Sequence, residues 1–201
     1  YLAEPAVLPP GWTTPAGSGE GTHWRLQPDE TPVADARHLA DIPAPYPALV
    51  TLGHDQDDAH YLVDLEYLGG LGLTGPPERT RAALAAIVVE LATSSWADDV
   101  RLTVVGEFAG LEDVLASGRI RYLPTLGRAV EQLANRAERD RELLAACGLP
   151  DVRSARATGS AADTWIPEIL AITGPLDAAQ HRRLADLVPA LAGTAHAVVV
   201  A

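Results

Sequence analysis

Residues 61–93 read YLVDLEYLGGLGLTGPPERTRAALAAIVVELAT, and this stretch decides the fold. Leu71 to Thr74 is a short apolar run flanked by glycine, which predicts a strand. From Glu78 to Thr93 the apolar period becomes helical, with Leu84, Ile87, Val88 and Leu91 on one face. A strand that passes through a glycine-rich turn directly into an amphipathic helix is half of a βα unit, and repeated βα units build parallel sheets.

The same alternation continues toward the C-terminus. Arg101 to Val105 (RLTVV) predicts a strand, Leu111 to Ser117 a short helix, and Ile120 to Leu123 another strand. Thr125 to Cys147 is the longest helical stretch; Val130, Leu133, Ala137 and Leu144 mark its apolar stripe, and Gly148 is a C-terminal cap. Ile169 to Thr173 (ILAIT) is a buried strand, Asp177 an N-cap for a helix running to Ala192, and Ala197 to Val200 the last strand. The expected fold is α/β: a mostly parallel sheet flanked by helices, buried on both faces.

Toward the N-terminus, Ala48 to Leu52 and Tyr61 to Leu65 predict a strand pair joined by GHDQDDA. Residues 1–47 are rich in Pro, Gly and Thr, with short apolar pieces at Leu2 to Leu8, His23 to Leu26 and near Pro45. This predicts a β-rich N-terminal arm, residues 1–47, beside an α/β domain, residues 48–201. Trp12 and Trp24 are its expected packing anchors, and a free linker needs none, so the arm is expected to lie against the core. The opening YLAEPAVL and closing HAVVVA both read as strands, so the chain is expected to be a segment of a longer protein.

Composition narrows the function. Of 201 residues, 47% are apolar, enough for a core, while aromatics are only 5%, so Ala, Leu and Val must build it. All 15 basic residues are Arg, and the net charge is −12. A strongly acidic surface does not attract phosphate backbones, so nucleic acid is not an expected partner. No apolar run reaches the roughly 18 residues of a membrane helix, so this segment is expected to make no membrane contact. Cys147, alone and in the apolar run LLAACG, is expected to be a buried structural thiol.

In parallel sheets, ligands sit where a strand's C-terminal end meets the next helix. Here that turn is GLTGPPERT, Gly72 to Thr80. A working phosphate loop has the form G-x-x-x-x-G-K-[ST]: glycines let backbone N–H groups wrap the phosphates, Lys reaches the β and γ phosphates, and Ser or Thr holds magnesium. Gly72, Thr74 and Gly75 keep the glycine-rich start. Pro76 follows, Pro77 replaces the second glycine, Glu78 the Lys, and Arg79 the Ser or Thr. The prolines remove two N–H donors, and Glu78 places negative charge beside a triphosphate. Gly72, Thr74, Gly75 and Arg79 thus form a vestigial nucleotide loop. The plain structural reading is a tight turn with two prolines starting a helix.

Other constellations carry less. HDQDDAH, His54 to His60, holds metal-ligand types but suits an exposed hairpin tip. Asp98 and Asp99 read as loop residues. Arg136, Arg139 and Arg141 alternate with Glu138, Asp140 and Glu142, as on a solvated helix face. Ser154, Ser160 and the His residues show no nucleophile–base spacing. No catalytic residue, metal site or cofactor is assigned.

From Pro47 to Ala201 the chain resembles an FtsK/SpoIIIE-type ATPase module of the kind found in type VII secretion ATPases. The resemblance runs through YLVDLEYLGGLGLTGPPER, TRAALAAIVVELATSSWADDVRLTVVGEFAG, NRAERDRELLAACGLPDV, WIPEILAITGPLD and AHAVVVA. It implies a P-loop NTPase-like fold. It also implies an acidic pair after the ILAIT strand, one residue holding magnesium and the other priming water, but Gly174 and Pro175 stand there and Asp177 comes later. The whole chain further resembles a segment of large proteins from high-GC Gram-positive bacteria that combine transmembrane helices, a LysM domain and a bacterial transcriptional activator domain.

Together these readings imply a non-catalytic pseudo-ATPase module that acts in protein–protein interaction, self-association or regulation, and the wider resemblance implies that it is a cytoplasmic part of a membrane-anchored protein. The competing expectations are an atypical NTPase, with Arg79 or Arg81 replacing the Lys, and a regulatory domain that binds a nucleotide without hydrolysing it.

Overall fold

The computed structural model describes residues 7, 12–17, 23–26, 44–58, 60–97, 99–161 and 164–201. The chain divides into two compact units, Tyr1–Ile42 and Pro43–Ala201. In the first, β1 (Trp12–Thr13) pairs antiparallel with β2 (Arg25–Leu26). Thr13 Oγ1 donates to the Arg25 carbonyl, and the Trp12 and Trp24 rings pack at 5.8 Å between centroids, inclined by 59°. The expected apolar piece at residues 2–8, apart from Val7, lies outside the described residues, as does Asp98.

The second unit opens with an antiparallel hairpin, β3 (Leu49–His54) and β4 (His60–Asp64). The expected strand through Leu65 stops one residue earlier. Asp64 accepts hydrogen bonds from the N–H groups of Glu66 and Tyr67 and so caps a one-turn helix, α1 (Leu65–Leu68). Gly69, in the left-handed region, turns the chain into β5 (Gly70–Gly72).

β5 leads into α2 (Pro77–Thr93). Then follow β6 (Arg101–Val105), α3 (Leu111–Leu115), β7 (Ile120–Leu123), α4 (Ala129–Cys147), α5 (Val152–Ala157), β8 (Glu168–Ile172), α6 (Ala178–Leu191) and β9 (His196–Val200). The five strands β5-β9-β8-β6-β7 form one parallel sheet in that order. The expected α/β class is present, and each of the five strands expected after residue 70 has its counterpart in the sheet, with ends shifted by at most two residues. The sequence signals missed α5, a six-residue helix capped by Asp151.

Strand alternation divides the core between the two faces of the sheet. Leu102, Val104, Ile169, Ala171, Ala197 and Val199 face α2, where Leu84, Ile87, Val88 and Leu91 are buried together with Val50 of the hairpin. Val105, Leu170, Ile172 and Val198 face α4 and α6, against Val130, Leu133, Ala137 and Leu187. Gly148 ends α4 at φ 67° with its N–H on the Ala145 and Leu144 carbonyls. Cys147, expected inside, is exposed. In the last turn of α4 it is Leu144 that is buried, with Leu149, after the cap, packed against its cluster.

Candidate functional site

The site is built where β5, β6 and β8 end. At the end of β5, Leu73 N–H donates to the Val200 carbonyl, so the loop leaves the sheet only after Leu73. Gly75 then takes φ 145°, a conformation that Gly adopts readily and side-chain-bearing residues rarely do. Pro76 is the N-cap of α2 and Pro77 its first residue. A helix start normally presents about four unbonded N–H groups. Here two belong to prolines and do not exist, and the Arg79 N–H turns back onto the Pro76 carbonyl at 2.9 Å. The loop therefore has the shape of a phosphate cradle but few of its donors.

β8 is tied to the loop after β6 by one side chain. Thr173 Oγ1 donates to the Val105 carbonyl at 3.0 Å and accepts from Glu107 N–H at 2.6 Å. Gly106 between them has φ 95°, and a Cβ there would stand 2.2 Å from the Thr173 carbonyl oxygen. This close approach fixes Glu107 above the strand ends. From α2, Arg81 reaches across to it, with Nε 2.8 Å from Glu107 Oε2, and the guanidinium carbon lies 5.9 Å from the Phe108 ring centre.

These residues enclose a cavity of about 790 Å³, the size range of a small-molecule site. Of the four vestigial-loop residues, Thr74 and Gly75 line it, and Gly72 and Arg79 are not among its lining. Gly72 still belongs to β5, and for Arg79 the reason is helical phase. Pro77 and Thr80, like Glu78 and Arg81, are three residues apart and share the facing side, whereas Arg79 is turned away and exposed. Of the two expected Lys replacements, only Arg81 reaches the cavity.

Gly174 and Pro175 line the opposite wall, at the end of β8. Asp177 is not in the lining. Its carboxylate caps α6, accepting from Ala179 and Gln180 N–H while the Gln180 side chain accepts from Asp177 N–H. The ionisable lining is thus Glu78, Glu107 and Arg81, with the one cation already paired. Glu107 and Thr173 escaped the sequence reading because their roles depend on contact between strands distant in the chain.

Elsewhere, His54 to His60 forms the tip of the β3–β4 hairpin, where Asp55 accepts from Asp57 N–H. Among the described residues, no helix is long and apolar enough to cross a membrane.

No protein-family model and no curated protein matches the chain. Solved structures do. It is similar to Thermomonospora curvata EccC, ATPases 2 and 3, in complex with a signal sequence peptide, at TM-score 0.58 and 21% identity, covering 76% of this chain and 32% of that one. It is similar to the cytoplasmic domain of the type VII secretion ATPase EccC from the same organism, at TM-score 0.51 and 20% identity over 76% of this chain and 20% of that one. It is also similar to the pCW3 conjugation coupling protein TcpA in its monomer form with ATPγS, at TM-score 0.51 and 11% identity over 83% and 50%. The chain therefore spans a fifth to a half of the length of these proteins. With a five-stranded parallel sheet and a glycine turn entering α2, the chain has the P-loop fold of FtsK/SpoIIIE-type ATPase domains.

Proposed function

We propose that this domain is a non-catalytic member of the P-loop fold that acts through protein contact or regulation within a larger, membrane-anchored protein, on its cytoplasmic side. One observation carries this reading: the nucleotide position is occupied by charge of the wrong sign. Glu78 and Glu107 flank the cavity, and Arg81 is engaged by Glu107. A triphosphate entering here meets two carboxylates and a loop short of donors. It also finds no carboxylate at Gly174 or Pro175 to hold magnesium or prime water. The wider resemblance to proteins with LysM and transcriptional activator domains supports the larger setting.

A second reading has its own support. Thr80 and Arg81 face the cavity together, so a nucleotide that displaced Glu107 would find a hydroxyl and a guanidinium. Phosphate release from magnesium-ATP decides between them. The chain and its Glu78→Lys variant are both expected to show no turnover above the buffer rate, since the prolines and the empty acidic position persist in the variant. Turnover that disappears in Arg81→Ala would establish the second reading instead.

A further inference from the structure

On the α4 face of the sheet, away from the nucleotide cavity, four arginines from three elements come together. Arg101 and Thr103 point to the same side of β6, since strand residues alternate. Arg121 of β7 is the direct register partner of Thr103 and donates to its hydroxyl at 3.5 Å. This is the α4 side, because Val105 and Leu123, each two residues further along its strand, pack with Val130 and Leu133 of α4. α4 adds Arg136 and Arg139, one turn apart. Arg136 reaches Glu168, which is itself the register partner of Arg101 on β8.

Of these four guanidinium groups, only that of Arg136 pairs with a carboxylate among the described residues, in a chain whose net charge is −12. Among the described residues, Arg101, Arg121 and Arg139 have no carboxylate partner. The neighbouring Arg141, by contrast, is matched by Glu138 at 2.9 Å. Arg101, Arg121 and Arg139 are exposed. Burial holds the Arg136 guanidinium below its ordinary value, and Arg101, Arg121 and Arg139 push it the same way. Gathering like charges in this way costs folding stability, and an anion docked across them reverses the sign of that interaction. Arg121 also borders a hollow of about 250 Å³ at the head of α4, with Arg128, Thr125 and Gln132. The guanidinium fork fits carboxylates in paired hydrogen bonds, so the patch has both the charge and the geometry for them.

We propose that Arg101, Arg121, Arg136 and Arg139 form a docking patch for a short acidic segment of a partner protein. Nucleic acid fits the surroundings less well. Its charges recur about every 1.7 Å along the duplex, so a long backbone must run past the acidic remainder of the surface. A short run of Glu or Asp delivers its charge to the patch alone, within the Debye length of about 8 Å at physiological ionic strength. This inference deepens the protein-contact reading and rests on it. The two still fail separately, because nucleotide binding would overturn that reading without touching these arginines.

The test is fluorescence anisotropy of a labelled oligoglutamate peptide with the whole chain at low salt. Binding that weakens as salt rises is expected. The triple variant Arg101→Gln, Arg121→Gln, Arg139→Gln is expected to bind about tenfold more weakly, as three exposed charge contacts are lost. It leaves the Arg136–Glu168 pair intact and relieves repulsion, so its melting temperature is expected to be equal or higher. Arg139→Gln alone, at an exposed helix position, is expected to weaken binding about two- to threefold. Changing Arg183, which pairs with Glu131, to Gln is expected to leave peptide binding unchanged. No binding at low salt overturns the proposal, and so does binding that the triple and Arg139→Gln variants leave undiminished. Tighter binding of a single-stranded oligonucleotide through the same arginines overturns it in favour of nucleic acid.

Discussion

Arg81 Nε stands 2.8 Å from Glu107 Oε2, and both residues line the cavity where β5, β6 and β8 end. This pairing is made possible by Thr173, which receives the Glu107 N–H and holds the loop after β6 against the end of β8. Both partners are about half exposed, so the pair contributes little to stability. Its importance is local: it uses the cavity's one cation. Glu107→Gln is expected to change the unfolding free energy by less than about 1 kcal/mol in urea titrations. A loss of several kcal/mol would mean that the pair holds the strand ends together.

Gly106 is expected to be far less tolerant than Glu107. Its backbone is left-handed at φ 95°, and a Cβ would meet the Thr173 carbonyl oxygen at 2.2 Å. Gly106→Ala is expected to cost more than about 2 kcal/mol, measured by thermal or urea unfolding, because backbone must move. A variant as stable as the parent would show that β6 and β8 do not approach this closely.

The Glu66–Arg156 ion pair should behave as a buried unit. Arg156 donates to both Glu66 oxygens and, through Nη2, to the Trp165 carbonyl at 2.9 Å, and both side chains are almost fully buried. Burial pushes the Glu66 carboxyl above its ordinary value, with Arg156 pulling the other way. Arg156→Met, which leaves a buried carboxylate alone, is expected to cost about 3–5 kcal/mol. Adding Glu66→Met should recover part of that loss in a double-mutant cycle. Additive losses would show that the two residues do not act as a pair.

Asp64 sets a pH dependence. Burial raises its carboxyl above the ordinary 3.8, against the pull of the N–H groups it caps and of Arg156 and Arg153. The folded chain therefore holds this proton more tightly than the unfolded chain. The contribution of Asp64 to stability is greatest at low pH and falls as pH rises through the window above 3.8. Asp64→Asn retains a cap and removes the proton. The wild type should gain on this variant as pH is lowered through that window. A stability difference that is flat with pH, or that slopes the other way, would contradict the assignment.

The sequence displayed most of this fold because local signals and global packing agree. The helical period of Leu84, Ile87, Val88 and Leu91 is the face that becomes buried, and Asp177 and Gly148 cap the helices they punctuate. What escaped depends on contacts between distant residues. Glu107 and Arg81 meet only once β6 and α2 are placed, and Glu66 and Arg156 are 90 positions apart. Arg136 and Arg139 read as a solvated helix face, yet Arg136 pairs with Glu168 and both share their surface with Arg101 and Arg121. Motif spacing aligns Arg79 with the magnesium-holding Ser or Thr, whereas in the helix that Pro77 starts Arg79 is exposed and Arg81 lines the cavity.

The proposed pseudo-ATPase keeps a P-loop fold without its nucleotide chemistry. Each charge-assisted contact to a phosphate contributes roughly 1.5–3 kcal/mol, so losing a Lys and two N–H donors lowers affinity on the order of a thousandfold or more. Glu78 and Glu107 add repulsion. Calorimetric titration of the chain with magnesium-ATP tests this most directly. The predicted result is no saturable heat at nucleotide concentrations well into the millimolar range. Saturable binding at low micromolar strength, weakened by Arg81→Ala, would contradict it.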